Sequence, residues 1–211
     1  MKTGIDRPRA QWHEGKLYLR ASWFGSCLRA VVLSVRGEHQ CADCPFLMSK
    51  ARDGQYLESD ILARIGKRYP VTARQEQVEY RRGKIVVTGH VDGVADLGNN
   101  RRALAEAKTM STTRFNTWME AGPRAFPSYI WQTSVYAHSQ GLQYVCMGIL
   151  ENLGLAEPGR FDMLVFQPLR SMEEIDARLD MIWDMAQEKA MPACTDKGGF
   201  WCPYRHKYCE E

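Results

Sequence analysis

Two acidic residues and a lysine stand on what reads as one β-hairpin, and their spacing is suited to chemistry on a charged oxygen. The segment Gly89-His90-Val91-Asp92-Gly93-Val94 is followed by Gly98-Asn99-Asn100 and then by Leu104-Ala105-Glu106-Ala107-Lys108. If Gly98, Asn99 and Asn100 form a three-residue loop, Leu97 pairs with Arg101 and Asp92 falls opposite Glu106, where Cβ atoms lie about 4.5–5.5 Å apart. Two carboxylates held that close repel each other, and a divalent cation is the usual compensation. Glu106 and Lys108 are two apart and share a strand face. A two-residue Asn99-Asn100 turn would shift the pairing by one residue. The same charges would also suit a solvated sheet face, since exposed antiparallel faces are commonly polar. Leu104, Ala105 and Ala107 favour a buried strand, because they are apolar on both faces. His90 is expected on the opposite strand face from Asp92 and in a structural role.

The elements around this hairpin follow from periodicity and turn signals. A short helix is expected over residues 22–35, with Ser22 as cap, and a second over 50–68, where Tyr56, Leu57, Ile61, Leu62 and Ile65 recur at helical spacing. Strands are expected over 71–81 and 84–97, joined at Arg82-Gly83, and over 102–109. A helix over 123–139, strands over 143–150 and 161–167, and a helix over 171–190 complete the chain. The last helix carries the capping box Ser171…Glu174. This order describes an α/β domain with a mixed sheet covered by helices. The 211 residues suit one domain. At 45% hydrophobic and 25% charged residues, the composition excludes a disordered tail, a collagen-like repeat and a coiled coil. A net charge of +3 is too small to identify a nucleic-acid binder. No secretory signal and no bilayer-length apolar run is present, so the expectation is a soluble, membrane-free, cytoplasmic protein with reduced thiols.

On these residues the chain resembles the PD-(D/E)XK nuclease superfamily. Gly89-x-x-Asp92-Gly93-Val94 followed by Glu106-x-Lys108 looks like its core signature. Gly54-Gln55-Tyr56-Leu57-Glu58 resembles the upstream motif of the RecB-like exonuclease branch, and Gln132-Thr133-Ser134-Val135-Tyr136 matches its Q-x-x-x-Y motif. The resemblance implies a restriction-endonuclease-like core, with a mixed central sheet flanked by helices and a C-terminal cysteine-rich segment, all in one domain over 1–211. It implies phosphodiester hydrolysis of DNA by an exonuclease using Mg²⁺ or Mn²⁺, in phage-type recombination or repair or in CRISPR adaptation, within a bacterial or phage-infected cell. Glu58, Asp92, Glu106 and the Ala107 carbonyl would ligate the metal. Asp92, Glu106, Lys108, Gln132 and Tyr136 would form the catalytic set, Lys108 orienting or deprotonating water or stabilising phosphate charge. Arg114, Phe115, Trp118 and Arg124 would either grip a DNA strand or anchor a helix on the core. Expected partners are DNA, as a single strand or a duplex end, and either further copies of the chain or a recombination or CRISPR protein. A non-catalytic DNA-binding subunit and a zinc-stabilised interaction module are the alternatives.

The seven cysteines complete the reading. Cys146 lies in an apolar run and is expected to be a buried, inert hydrophobe. Cys194-x7-Cys202-x6-Cys209, with the local text Phe200-Trp201-Cys202-Pro203-Tyr204-Arg205, resembles the C-terminal cluster of iron–sulfur RecB-like nucleases. In that family one distant N-terminal cysteine completes a [4Fe–4S] set, and Cys27 stands at the expected place. The relatives' first two C-terminal cysteines form a C-x2-C pair, which this chain lacks. Cys41-Ala42-Asp43-Cys44 is a separate half-site, so zinc held by Cys41, Cys44 and two terminal cysteines is the alternative.

Overall fold

A computed structural model describes residues 9–38, 57–153, 159–187 and 191–193. Cys41, Cys44, Cys194, Cys202, Cys209 and the first residues of the upstream motif, Gly54 to Tyr56, lie outside them.

The chain opens with a hairpin of strands β1 (Ala10–His13) and β2 (Lys16–Arg20), which the sequence reading did not anticipate. Leu17 and Leu19 of β2 are buried while Tyr18 and Arg20 alternate outward, the period-2 pattern of a half-buried strand. The expected helix over 22–35 is two helices, α1 (Ala21–Phe24) and α2 (Leu28–Val35). Gly25 lies between them. A Cβ there would meet the Ser128 backbone at 2.5 Å, so the chain breaks where it passes closest to the central helix. Helix α3 covers residues 57–66.

Five strands follow: β3 (Val71–Thr72), β4 (Glu76–Arg82), β5 (Ile85–Val91), β6 (Gly93–Gly98) and β7 (Arg101–Met110). The first expected strand is split by Ala73 and Gln75, both in the left-handed region. The second is split at Asp92. Next come α4 (Thr112–Ala121), a 3-10 turn (Gly122–Ala125), α5 (Pro127–Ser139), β8 (Tyr144–Glu151), β9 (Phe161–Phe166) and α6 (Met172–Gln187). Helix α4 was not anticipated. It buries Phe115 and Trp118, so these two aromatics anchor a helix on the core. Gly122, at φ 63, ends α4, and Pro123 opens the 3-10 turn rather than the long helix. The capping box at α6 forms as expected: Glu174 N–H donates to Ser171 Oγ at 3.2 Å and Ser171 N–H to Glu174 Oε2 at 2.9 Å.

The strands form two mixed sheets, β1-β2-β5-β4 and β3-β6-β7-β8-β9. Pairs β2–β5 and β7–β8 are parallel and the others antiparallel. One core cluster joins the first sheet to α1, α2, α4, α5, α6 and one face of the second sheet. A smaller cluster places Ile61, Leu62 and Ile65 of α3 on the other face, against Ala95, Ala103, Ala105 and Cys146. Cys146 is fully buried, which pushes its thiol up to about 12.

Candidate active site

Asp92 belongs to neither ladder. Pairing in the first sheet runs to Val91, opposite Glu76, and in the second it starts at Gly93, opposite Ala105. The chain therefore crosses from one sheet to the other at Asp92. Gly93 marks the crossing, since a Cβ there would meet Val71 Cγ1 at 2.6 Å.

The β6–β7 register is reached by a different route from the three-residue loop. Asn99 and Asn100 alone form the turn, both left-handed at φ 54 and 59, as a two-residue hairpin turn requires. Gly98, not Leu97, pairs with Arg101, and the ladder shifts between Asp96 and Gly98. The bulge at Leu97 absorbs the extra residue and is clamped by Gly98 N–H donating to Asp96 Oδ1 at 2.8 Å. Beyond it the pairs Asp96–Arg102, Val94–Leu104 and Gly93–Ala105 put Asp92 at the level of Glu106. Asp92 Oδ2 accepts from the Ala107 amide at 2.8 Å, which ties it across the strand gap.

Glu106 is buried at 1% exposure in the middle of the second sheet. Its Oε1 accepts from Lys108 Nζ at 2.6 Å, and its Oε2 is buried without a hydrogen-bond partner. Lys108 Nζ also donates to Gln132 Oε1 at 3.2 Å and lies 5.3 Å from the centroid of the Tyr129 ring. Gln132 Nε2 donates in turn to the Tyr136 hydroxyl at 3.4 Å. Helix α5 supplies all three partners at i, i+3 and i+7, one helical face. Tyr136 can come this close because residue 89 is glycine: a Cβ there would meet the Tyr136 hydroxyl at 2.2 Å. Glu58, from the start of α3, accepts from Gln75 Nε2 at 2.5 Å.

The electrostatics follow from burial. Desolvation, with Asp92 close by, pushes Glu106 up to about 8. Burial also raises Asp92, against the opposing pull of Lys108 and the Ala107 amide, and raises Glu58, with Asp92 adding to it. Burial alone would lower Lys108, but Glu106 and Asp92 more than reverse this and hold it charged above its ordinary value. The Tyr136 hydroxyl is pushed up to about 12 by burial and then by Glu106.

A cleft of about 880 Å³ opens onto this group, with Glu58, Asp92, Gln132 and Tyr136 in its wall. The sequence-predicted acids, lysine, glutamine and tyrosine thus come together at the seam between the sheets. His90 departs from expectation: it is exposed and lines the same cleft as Asp92, as residues two apart on a strand do. Ala107 is seen as an amide donor to Asp92. Tyr129 and Gln75 escaped the sequence reading. Tyr129 could have been found from its place three residues before Gln132 on the same helix face. Arg114 is half-buried, with its guanidinium 5.0 Å from the Phe126 ring centroid and a 3.4 Å hydrogen bond to the Tyr129 hydroxyl.

Among the described residues, no three His, Cys, Asp or Glu side chains form a ready-made metal cage. Each acid is instead held by a protein donor: Glu58 by Gln75, Asp92 by Ala107 and Glu106 by Lys108. The donor chemistry nevertheless fits a hard divalent cation, because the candidate ligands are oxygens and one of them, Glu106 Oε2, is buried and unpartnered. Away from this site, Cys27 precedes α2 and shares a small apolar cluster with Trp23 and Met191, just ahead of Cys194.

No protein-family model and no curated protein matches the chain. Similar solved structures include one designated SSO0001, 12% identical, with a TM-score of 0.60 over 96% of this chain and 89% of that one. Another is an alkaline exonuclease, LHK-Exo, from Laribacter hongkongensis, 17% identical, with a TM-score of 0.55 over 82% of this chain and 88% of that one. The same exonuclease in complex with dAMP is 16% identical, with a TM-score of 0.50 over 79% of this chain and 92% of that one. At these identities the likeness is one of fold. The chain has the mixed α/β, restriction-endonuclease-like nuclease fold. Among the described residues no helix is long and apolar enough to cross a membrane.

Proposed function

We propose that the protein is a Mg²⁺- or Mn²⁺-dependent DNA exonuclease of the RecB-like kind. The observation that carries the reading is the buried Glu106, with one oxygen on Lys108 and the other unpartnered, beside Asp92 at the mouth of a cleft. Glu106, Asp92, Glu58 and the Ala107 carbonyl would hold the cation, which supplies Lewis-acid polarisation of the phosphate and a more acidic water.

The remaining roles belong to the chain's own groups. In hydrolysis the water oxygen bonds to phosphorus, the bond to the leaving sugar oxygen breaks, and that oxygen takes up a proton. Lys108, placed against Glu106 Oε1 and Gln132 Oε1, would orient or help deprotonate the attacking water or stabilise charge on the phosphate. Gln132 fixes Lys108 through Oε1 and Tyr136 through Nε2, so the helix presents both donors as one unit. The fold shared with the alkaline exonuclease is consistent with this chemistry.

Cys27 with Cys194, Cys202 and Cys209 is proposed to bind a [4Fe–4S] cluster, supported by the packing of Met191 against the Cys27 region. Iron with acid-labile sulfide in anaerobically purified protein is the expected result, and stoichiometric zinc alone would refute it. The nuclease reading is tested by Mn²⁺-dependent digestion of end-labelled single- and double-stranded DNA. The wild type should shorten its substrate and Glu106→Ala should not; full activity in Glu106→Ala would overturn the assignment.

A further inference from the structure

The first sheet has a second face, turned away from the main core cluster and bordering the cleft, in which Val86 is buried among polar neighbours. Leu17 and Leu19 of β2 and Val78 and Tyr80 of β4 point into the core. The alternate residues point the other way. The register aligns Gln11, Tyr18, Val86 and Arg81 in one row, Arg20, Thr88 and Glu79 in the next, and His90 with Gln77 in a third. From the first row to Asp92 is six residues along β5 and its continuation, about 20 Å at ~3.3 Å per residue.

Three properties of this face point to one occupant. Its charge is basic: Lys16, Arg20 and Arg81 share it with Glu79, and Glu79 is already ion-paired with Arg81. His13, near Glu14 at 3.7 Å, and His90 add two imidazoles. It carries an aromatic edge, in which the His13 and Tyr18 rings stand 6.3 Å apart at 58° on adjacent strands. It is also continuous with the proposed active site, since His13, Tyr18, Arg20 and His90 line the same cleft as Asp92 and Tyr136. Phosphate-pairing cations beside aromatic rings that border a cleft are what an unpaired nucleic-acid strand requires. A duplex offers phosphates but keeps its bases stacked on one another.

We propose that the cleft-side face of the β1-β2-β5-β4 sheet is a track for an unpaired DNA strand, which leads into the site at Asp92. Tyr18 and His13 take bases by stacking and Arg20 takes a phosphate. This rests on the nuclease reading and names the form in which that site receives its substrate.

The test is fluorescence anisotropy in EDTA, using the full chain and a fluorescein-labelled oligothymidylate of about 12 nucleotides, with a duplex of the same length alongside. Tyr18→Ala should weaken strand binding about fivefold or more, and Tyr18→Phe, which keeps the ring, should bind within about twofold of wild type. Arg20→Gln should reduce the slope of log affinity against log salt by about 0.7, the value for one phosphate contact on a single strand. Arg102→Gln, an equal charge change on an exposed residue of the other sheet, should leave binding unchanged. His13→Ala, at an exposed turn-flanking position, should weaken strand binding too and serves if Tyr18→Ala does not fold. Unchanged strand affinity in Tyr18→Ala and His13→Ala, or equal loss of duplex and strand binding, would overturn the track. If wild type binds the strand through Tyr18 but never cleaves DNA with Mn²⁺, the nuclease reading falls and the track stands. Cleavage without any effect of Tyr18 or His13 on binding gives the reverse.

Discussion

Two glutamates on neighbouring strands of the second sheet are both almost completely buried, and the protein treats them in opposite ways. Glu151, at 4% exposure near the end of β8, is bound through both oxygens by the Arg160 guanidinium, at 2.6 and 2.9 Å. That pairing holds its carboxyl down at about 2. Glu106, at 1% exposure in β7, has a lysine on one oxygen and nothing on the other, and burial pushes it up to about 8. Burial is common to both, so burial alone does not set Glu106 apart. The distinction lies in completion: Glu151 has every partner a carboxylate can use, while Glu106 keeps one coordination place open at a charge cost the fold does not relieve.

The sharpest way to break this comparison is to remove each acid in turn. Glu106→Ala is expected to lower DNA cleavage by about 10³-fold or more while the protein stays folded, as judged by digestion assay and thermal melting. Glu151→Ala should do the reverse, lowering the melting temperature through the stranded Arg160 while leaving cleavage by the folded protein near wild type.

The pH dependence of stability should then separate them without mutation. Glu106 binds its proton more tightly folded than unfolded between about 4.5 and 8, so its contribution makes the protein less stable as pH rises through that window, by up to about 1.4 kcal/mol per pH unit. Glu151 is depressed, so its contribution is present above about 4.5 and is lost as pH falls toward 2. Urea denaturation across this range should show a rise that Glu151→Gln removes and a fall that Glu106→Gln removes. A profile unchanged by Glu106→Gln would contradict the uncompensated burial.

A smaller effect is expected from Gly89→Ala. The new methyl would meet the Tyr136 hydroxyl at 2.2 Å, so the tyrosine or the strand must shift. Cleavage should fall by about 10- to 100-fold and stability by about 1–3 kcal/mol. Tyr136→Phe in the same background should restore part of the stability but not the activity, as read by melting and digestion together. Ser171→Ala, which removes the α6 cap far from the site, should cost about 1 kcal/mol in denaturant and leave cleavage unchanged.

The grouping of the candidate site residues was more legible than the architecture that brings them together. Asp92, Glu106 and Lys108 could be placed together from strand parity and hairpin register, and the Ser171–Glu174 box from its spacing. Both depend on contacts a few residues apart in sequence or across one turn. The bulge at Leu97 was not legible, since a three-residue loop and a two-residue turn with a bulge deliver the same register further along the ladder. The break at Asp92 depends on how closely Val71 approaches Gly93, a contact between distant parts of the chain. Tyr129 was missed although it shares a helix face with Gln132, and its ring gains meaning only with Lys108 Nζ placed 5.3 Å from its centroid. His90 was assigned to the wrong side although it is two residues from Asp92, a separation that puts both on one strand face.

The transfer of the chain from one sheet to the other at Asp92 makes the site a joint rather than a pocket cut into a rigid wall. Glu106 and Lys108 belong to one sheet, the basic outer face to the other, and Asp92 to neither ladder. The angle between the two sheets therefore sets the separation between the acids. On the proposed track, a strand lying along the first sheet would reach Glu106 and Lys108 only through this crossing.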